Sequence, residues 1–131
     1  MATLPLISDE EASAEVLAVF DDIRATRGTD FINNFWQALA NDPALLATTW
    51  DRLKEVMGPG ELDPLVKEML YIAVSVANGC EYCIHSHTAA ANAKGMTLAQ
   101  HGELMSLIGM AMQTNGLVTA MQVPVDEVFN A

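Results

Sequence analysis

Residues 63–87 read Asp63-Pro-Leu-Val-Lys-Glu68-Met-Leu-Tyr-Ile-Ala-Val-Ser75-Val-Ala77-Asn-Gly79-Cys80-Glu-Tyr82-Cys83-Ile-His85-Ser-His87. Asp63-Pro64 is a helix start: the aspartate caps free N–H groups, and proline suits the first turn, where its missing N–H costs nothing. From Leu65 to Ala77 the residues are apolar on nearly all sides, which predicts a helix buried in the middle of a domain. Asn78-Gly79 closes it, and a second helix is predicted over roughly Glu81 to Ala93, ended by Lys94-Gly95. Two helices joined by so short a turn form an antiparallel hairpin.

The same punctuation recurs on either side. Asn41-Asp42-Pro43 opens a helix that runs to about Met57, where Gly58-Pro59-Gly60 stops it. A shorter helix is expected after Asp30, carrying Phe31, Phe35, Trp36 and Leu39. Nearer the start, Ser8-Asp9-Glu10-Glu11 reads as a capping box, followed by Val16, Val19, Phe20 and Ile23 at helical spacing until Gly28. Downstream, Thr97 with Gln100 opens another helix, and Gly109 and Gly116 predict one kinked helix or two short ones. Strand-like alternation and internal repeats are absent, so the fold class is all-α.

A length of 131 residues suits one domain, and 51% apolar with 18% charged residues is the profile of a folded chain. The formal charge of -11, with six Lys and Arg against seventeen Asp and Glu, argues against nucleic acid and anionic membrane surfaces as partners. The longest apolar stretch, Met69 to Ala77, is far short of a membrane span, and the N-terminus lacks the basic start of a signal peptide. A cytoplasmic location is the expectation. Leu104, Met105, Leu107, Ile108, Met110, Met112, Leu117 and Met121 form an apolar tail expected to serve core and subunit contacts.

Chemistry concentrates on the second helix of the hairpin. With Cys80 at its start, Cys83 lies one turn on and His87 one more, so the three share a face, while Tyr82 and His85 point elsewhere. A disulfide between residues three apart is accessible there, because the Cα separation is about 5 to 6 Å. The free N–H groups and dipole of a helix start favour an anion and lower a thiol below its free value of about 8.5. By helix position alone, Cys80 is the more activated thiol.

Glu68 stands eleven residues before Gly79 and His87 eight after it, so the hairpin brings them level within roughly one turn. In an apolar helix Glu68 needs a partner, and a hydrogen bond to His87 would satisfy it and set the imidazole tautomer. His87 could then take a thiol proton directly or through water. Ser75 falls near the Glu68 face and is a candidate for a further hydrogen bond.

Other readings of these residues stay open. Two thiols can pack as small hydrophobes, and Cys80, Cys83 and His87 with a fourth ligand would make a zinc site. Haem attachment fails because Ile84 stands where a C-x-x-C-H motif needs histidine. His85 is expected at a surface or interface, His101 at a solvated helix position, and Tyr82 in packing between subunits or over the site.

Glu68, Cys80, Cys83 and His87, with all their spacings, resemble the signature of the AhpD-like alkylhydroperoxidases in the carboxymuconolactone decarboxylase superfamily. The resemblance covers about Phe35 to Met112 and implies a helical bundle of about six to seven helices, a single domain over residues 1–131 with its core at about 35–112. It also implies a homo-oligomer, trimer or hexamer, needing no metal or cofactor. Carried over by position, Cys83 attacks a hydroperoxide, Cys80 resolves the sulfenic acid into a disulfide, and His87 with Glu68 relays protons. A dithiol such as dihydrolipoamide on a carrier protein would reduce the disulfide. Tyr82 stands where AhpD proper has histidine, and the chain is nearer in length to the small members of the superfamily. The decarboxylase branch, which generally lacks the cysteine pair, supplies the alternative: a lyase acting on a small lactone with His87 as acid or base. A non-catalytic redox-sensing module is a third reading.

Overall fold

The computed structural model describes residues 1–130. They form six α-helices and a closing 3₁₀ turn, with no strand among the described residues: α1 (Ala14–Arg27), α2 (Asn34–Leu39), α3 (Pro43–Met57), α4 (Pro64–Ala77), α5 (Glu81–Ala93) and α6 (Leu98–Met121). The helices fall into two compact units, Met1–Gly58 and the residues from Pro59 onward.

In the first unit α1, α2 and α3 enclose Val16, Phe20, Ile23, Ile32, Trp36, Leu46 and Trp50. The indoles of Trp36 and Trp50 meet edge to face, their centroids 5.4 Å apart. Fully burying each large side chain here contributes about 1.5–3 kcal/mol. The start of α1 departs from the sequence expectation. Ser8 Oγ and Ser8 N both donate to Glu11 Oε2, while the Glu11 N–H bonds the Ser8 carbonyl, so this pair closes a turn outside the helix. The cap is Ser13, whose side chain accepts from Val16 N.

The second unit carries the hairpin. Asp63 and Pro64 start α4, with the aspartate accepting from Leu65 N. At its far end Gly79 N–H bonds Val76 O and Cys80 N–H bonds Ser75 O, at 3.1 and 2.9 Å, the paired bonds of a Schellman turn. Gly79 sits at φ 66°, the left-handed conformation this turn demands and one that side chains resist. Cys80 therefore both completes the C-terminal turn of α4 and caps α5. A second Schellman turn ends α5, with Gly95 N–H on Asn92 O and Met96 N–H on Ala91 O.

Ile72, Ala91, Met96, Leu104 and Ile108 make the core between these helices. One expectation changes here, and one alternative for the last helix falls away. α4 is not buried all round: α5 and α6 cover one side, leaving Val66, Leu70 and Val74 as an exposed apolar stripe with a period of four. α6 runs unbroken for 24 residues through Gly109 and Gly116. Glycine costs about 1 kcal/mol relative to alanine inside a helix but keeps its N–H, so it weakens the run without ending it. Of the apolar tail, Leu104 and Ile108 enter the core, while Met105, Leu107, Met110, Met112, Leu117 and Met121 are exposed. Among the described residues no helix is long and apolar enough to cross a membrane.

Candidate active site

Cys80 occupies the N-cap of α5, where its Sγ accepts the Cys83 N–H at 3.3 Å. A sulfur in this position meets the free N–H groups and the positive end of the dipole, an environment that favours negative charge. Both cysteines are free thiols and half-buried. The Cys83 thiol is pushed up to about 11, chiefly by its hydrogen bond to Cys80, with burial and the Cys80 charge adding to it.

Two turns further along, His87 Nδ1 lies 2.7 Å from Glu68 Oε2, reaching across the hairpin from α5 to α4. The other carboxylate oxygen, Oε1, accepts from Lys94 Nζ, also at 2.7 Å. Glu68 is well enclosed, its side chain 6% exposed, while those of His87 and Lys94 are 18% and 39% exposed. Burial pushes the Glu68 carboxyl up, yet the hydrogen bonds from His87 and Lys94, joined by their charges, more than offset it and leave it below its ordinary value. With Glu68 ionised, Nδ1 is the donor of this contact, and in a neutral ring Nε2 is then the acceptor nitrogen. Tyr71 stacks on this ring, with centroids 3.7 Å apart and planes 19° from parallel.

The hairpin thus joins Glu68 on α4 to His87 on α5, the helix that begins with Cys80 and Cys83. Ser75 is buried, but its hydroxyl donates to the Tyr71 carbonyl at 2.6 Å, a bond within α4 and not one to Glu68. Tyr82 and His85 lie on the outer side of α5, where with Glu81 and Ser86 they line a shallow concavity. Among the described residues no three His, Cys, Asp or Glu side chains group as ligands for a metal ion, so the zinc arrangement is not assembled there.

Lys94 and Tyr71 were not anticipated from sequence. Both stand at helical spacing from residues that were: Tyr71 is three after Glu68 on α4, and Lys94 is seven after His87 on α5. Tyr71 is within reach of the same periodicity argument, whereas Lys94 lies just past the end of α5.

A helical hairpin with a dithiol at one end and a carboxylate–imidazole pair two turns away brings together the group types that thiol redox and proton transfer require. The sequence model of the Carboxymuconolactone decarboxylase family matches residues 43–126, and the chain belongs to that family. No curated protein matches it. Among solved structures, the crystal structure of the alkylhydroperoxidase AhpD core from Rhodospirillum rubrum ATCC 11170 is similar to it, at 66% sequence identity and a TM-score of 0.97. That match covers 100% of this chain and 98% of the other.

Proposed function

We propose that this chain is a thiol-dependent peroxidase of the alkylhydroperoxidase kind, cycling Cys80 and Cys83 between dithiol and disulfide. The observation that carries the reading is the 2.7 Å contact of Glu68 with His87 on the helix whose N-cap is Cys80. Likeness to a structure described as an alkylhydroperoxidase core supports the same class of reaction.

In the cycle, the Cys83 thiol, which holds its proton at rest, gives it to the relay as its sulfur attacks the distal oxygen of a hydroperoxide ROOH. The O–O bond breaks, the alkoxide takes a proton from the relay, and ROH leaves with Cys83 as a sulfenic acid. Cys80 then attacks that sulfur, the S–S bond forms, and hydroxide departs as water with the proton His87 supplies. The sum is ROOH plus two thiols giving ROH, water and a disulfide. Glu68 holds His87 in the tautomer whose Nε2 receives and returns these protons. An external dithiol, such as a dihydrolipoamide-bearing protein, restores the reduced pair by exchange. A reducing compartment such as the cytoplasm suits the free dithiol. The uncovered apolar faces of α4 and α6 support a homo-oligomer, trimer or hexamer, since patches of this kind are usually contact surfaces.

The test is a count of free thiols, with intact mass, before and after hydrogen peroxide and again after dihydrolipoamide. Loss of both thiols with two hydrogen atoms, reversed by the dithiol, is expected. Thiols that survive peroxide unchanged would sink the reading. In Cys80→Ser a sulfenic acid should accumulate on Cys83, whereas Cys83→Ser should stop peroxide consumption; a sulfenic acid on Cys80 in that variant would reverse the two roles. The family's description favours one other reading, a lyase on a small lactone driven by the His87–Glu68 pair. Lactone turnover by a variant lacking both cysteines would establish it. A disulfide that forms without turnover by any dithiol would mark a redox-sensing module instead.

A further inference from the structure

We propose that Lys94 is a positioning residue for the relay: its ammonium, bound to Glu68 Oε1, stands as the permanent counter-charge of that carboxylate and so leaves His87 neutral and ready to accept a proton. This rests on Glu68 and His87 being the relay. Two donors compete for one buried carboxylate, Lys94 Nζ on Oε1 and His87 Nδ1 on Oε2, each at 2.7 Å. A buried carboxylate needs a positive partner. Were His87 the sole candidate, the imidazolium would be held as that partner, and an imidazolium has no free nitrogen with which to take a proton. With Lys94 in place the charge is already met, and the nearby ammonium repels a second cation on the ring.

The backbone explains how a surface lysine reaches this far. Lys94 is the C-cap of α5, its own N–H bonded to Ala90 O and Ala91 O, and the turn that follows is locked by the Gly95 and Met96 bonds. Its stem runs back toward α4 while the head stays part-exposed.

Other ionisable groups around the pair are few. On α5, Cys80 and Cys83 lie toward the helix start on the His87 side, and His85 is exposed. On α4, the Tyr71 phenol ring stacks on His87, and Lys67 adjoins Glu68 in sequence. α6 turns Leu104 and Ile108 inward, with Glu103 exposed and His101 part-exposed. The thiolate side of the site favours a charged imidazole, which Lys94 opposes.

Removing a cation raises the proton affinity of its neighbours, so the direction of the effect is fixed. In the reduced full chain, Lys94→Met should raise the pH midpoint of the His87 ring resonances, followed by NMR and assigned by their absence in His87→Gln, by about one unit or more. The acid limb of the pH–rate profile for peroxide consumption should move the same way. Lys94→Arg should restore both, and Lys94→Gln, which keeps a donor without charge, should behave like the methionine variant and serves if that one folds poorly. An unchanged or lowered midpoint in the uncharged variants overturns the proposal. Parent protein that consumes no peroxide would remove the peroxidase reading, while the ring titration would still report on Lys94.

Discussion

Each unit of the chain contains a carboxylate gripped by two nitrogen donors. In the first, Asp22 on α1 accepts from Trp50 Nε1 at 2.7 Å and from Lys54 on α3. In the second, Glu68 on α4 accepts from His87 and Lys94. Both carboxyls lie below their ordinary values, Asp22 through the Lys54 and Trp50 hydrogen bonds, Glu68 through the His87 and Lys94 bonds that outweigh burial. The resemblance ends with the partners. An indole N–H and a lysine ammonium keep their protons throughout the neutral range, so the Asp22 cluster can only hold α1 to α3. An imidazole changes its protonation there, and Glu68 is buried where Asp22 is 47% exposed. A lowered carboxyl by itself does not distinguish a structural clamp from a relay; the titratable partner and the burial of Glu68 are what make the second cluster the candidate relay.

The sharpest way to break this comparison is Glu68→Gln. If Glu68 orients His87, peroxide turnover should fall by about 10²–10⁴-fold, the usual worth of positioned acid–base catalysis, with the dithiol still oxidisable. Steady-state rates at saturating dithiol would measure it. Turnover unchanged in Glu68→Gln would reduce this cluster to the same standing as Asp22.

How far the sequence carries one toward this site follows from the kind of signal involved. The boundaries of α3, α4 and α5 were legible because Asp-Pro starts and glycine stops are local chemistry, and the Glu68–His87 contact followed from the register of a two-helix hairpin. Ser8 misled because the Ser-x-x-Glu spacing fits a turn as well as a cap, and only the Glu11 N–H bonding the Ser8 carbonyl tells them apart. The apolar pattern of α4 could not say what covers Val66, Leu70 and Val74, since periodicity records hydrophobicity and not the partner. Lys94 read as helix-end punctuation because its role depends on a side chain folding back across 26 residues of chain. Ser75 shows the converse: proximity to a face was correct, yet the nearest free acceptor was its own helix backbone.

A second prediction uses acid. Because the folded-state Glu68 carboxyl lies below its unfolded value of 4.5, the stability it contributes is present above that value and is lost as pH falls through the folded one. The difference in urea midpoint between the parent and Glu68→Gln should therefore be largest at about pH 7 and shrink by about pH 3. A difference that stays constant over that range would mean that the Glu68 charge adds nothing to stability.

The smallest effect is expected at the other carboxylate. Asp22→Asn removes the charge that faces Lys54 but leaves a side-chain oxygen to accept from Trp50 Nε1, and water can reach a position this exposed. Surface pairs are weak because water and salt screen them and because ordering a lysine costs entropy. The indole itself stays anchored by its packing on Trp36, with Arg27 lying over both rings and Lys54 over one. Asp22→Asn should lower Tm by a few degrees at most in low salt, less in high salt, and leave peroxide turnover unchanged. Thermal melts at two ionic strengths beside one rate measurement would check all three. A large loss of turnover in Asp22→Asn would show that the first unit takes part in the chemistry, and the contrast between a clamp that only holds and a pair proposed to pass protons would no longer stand.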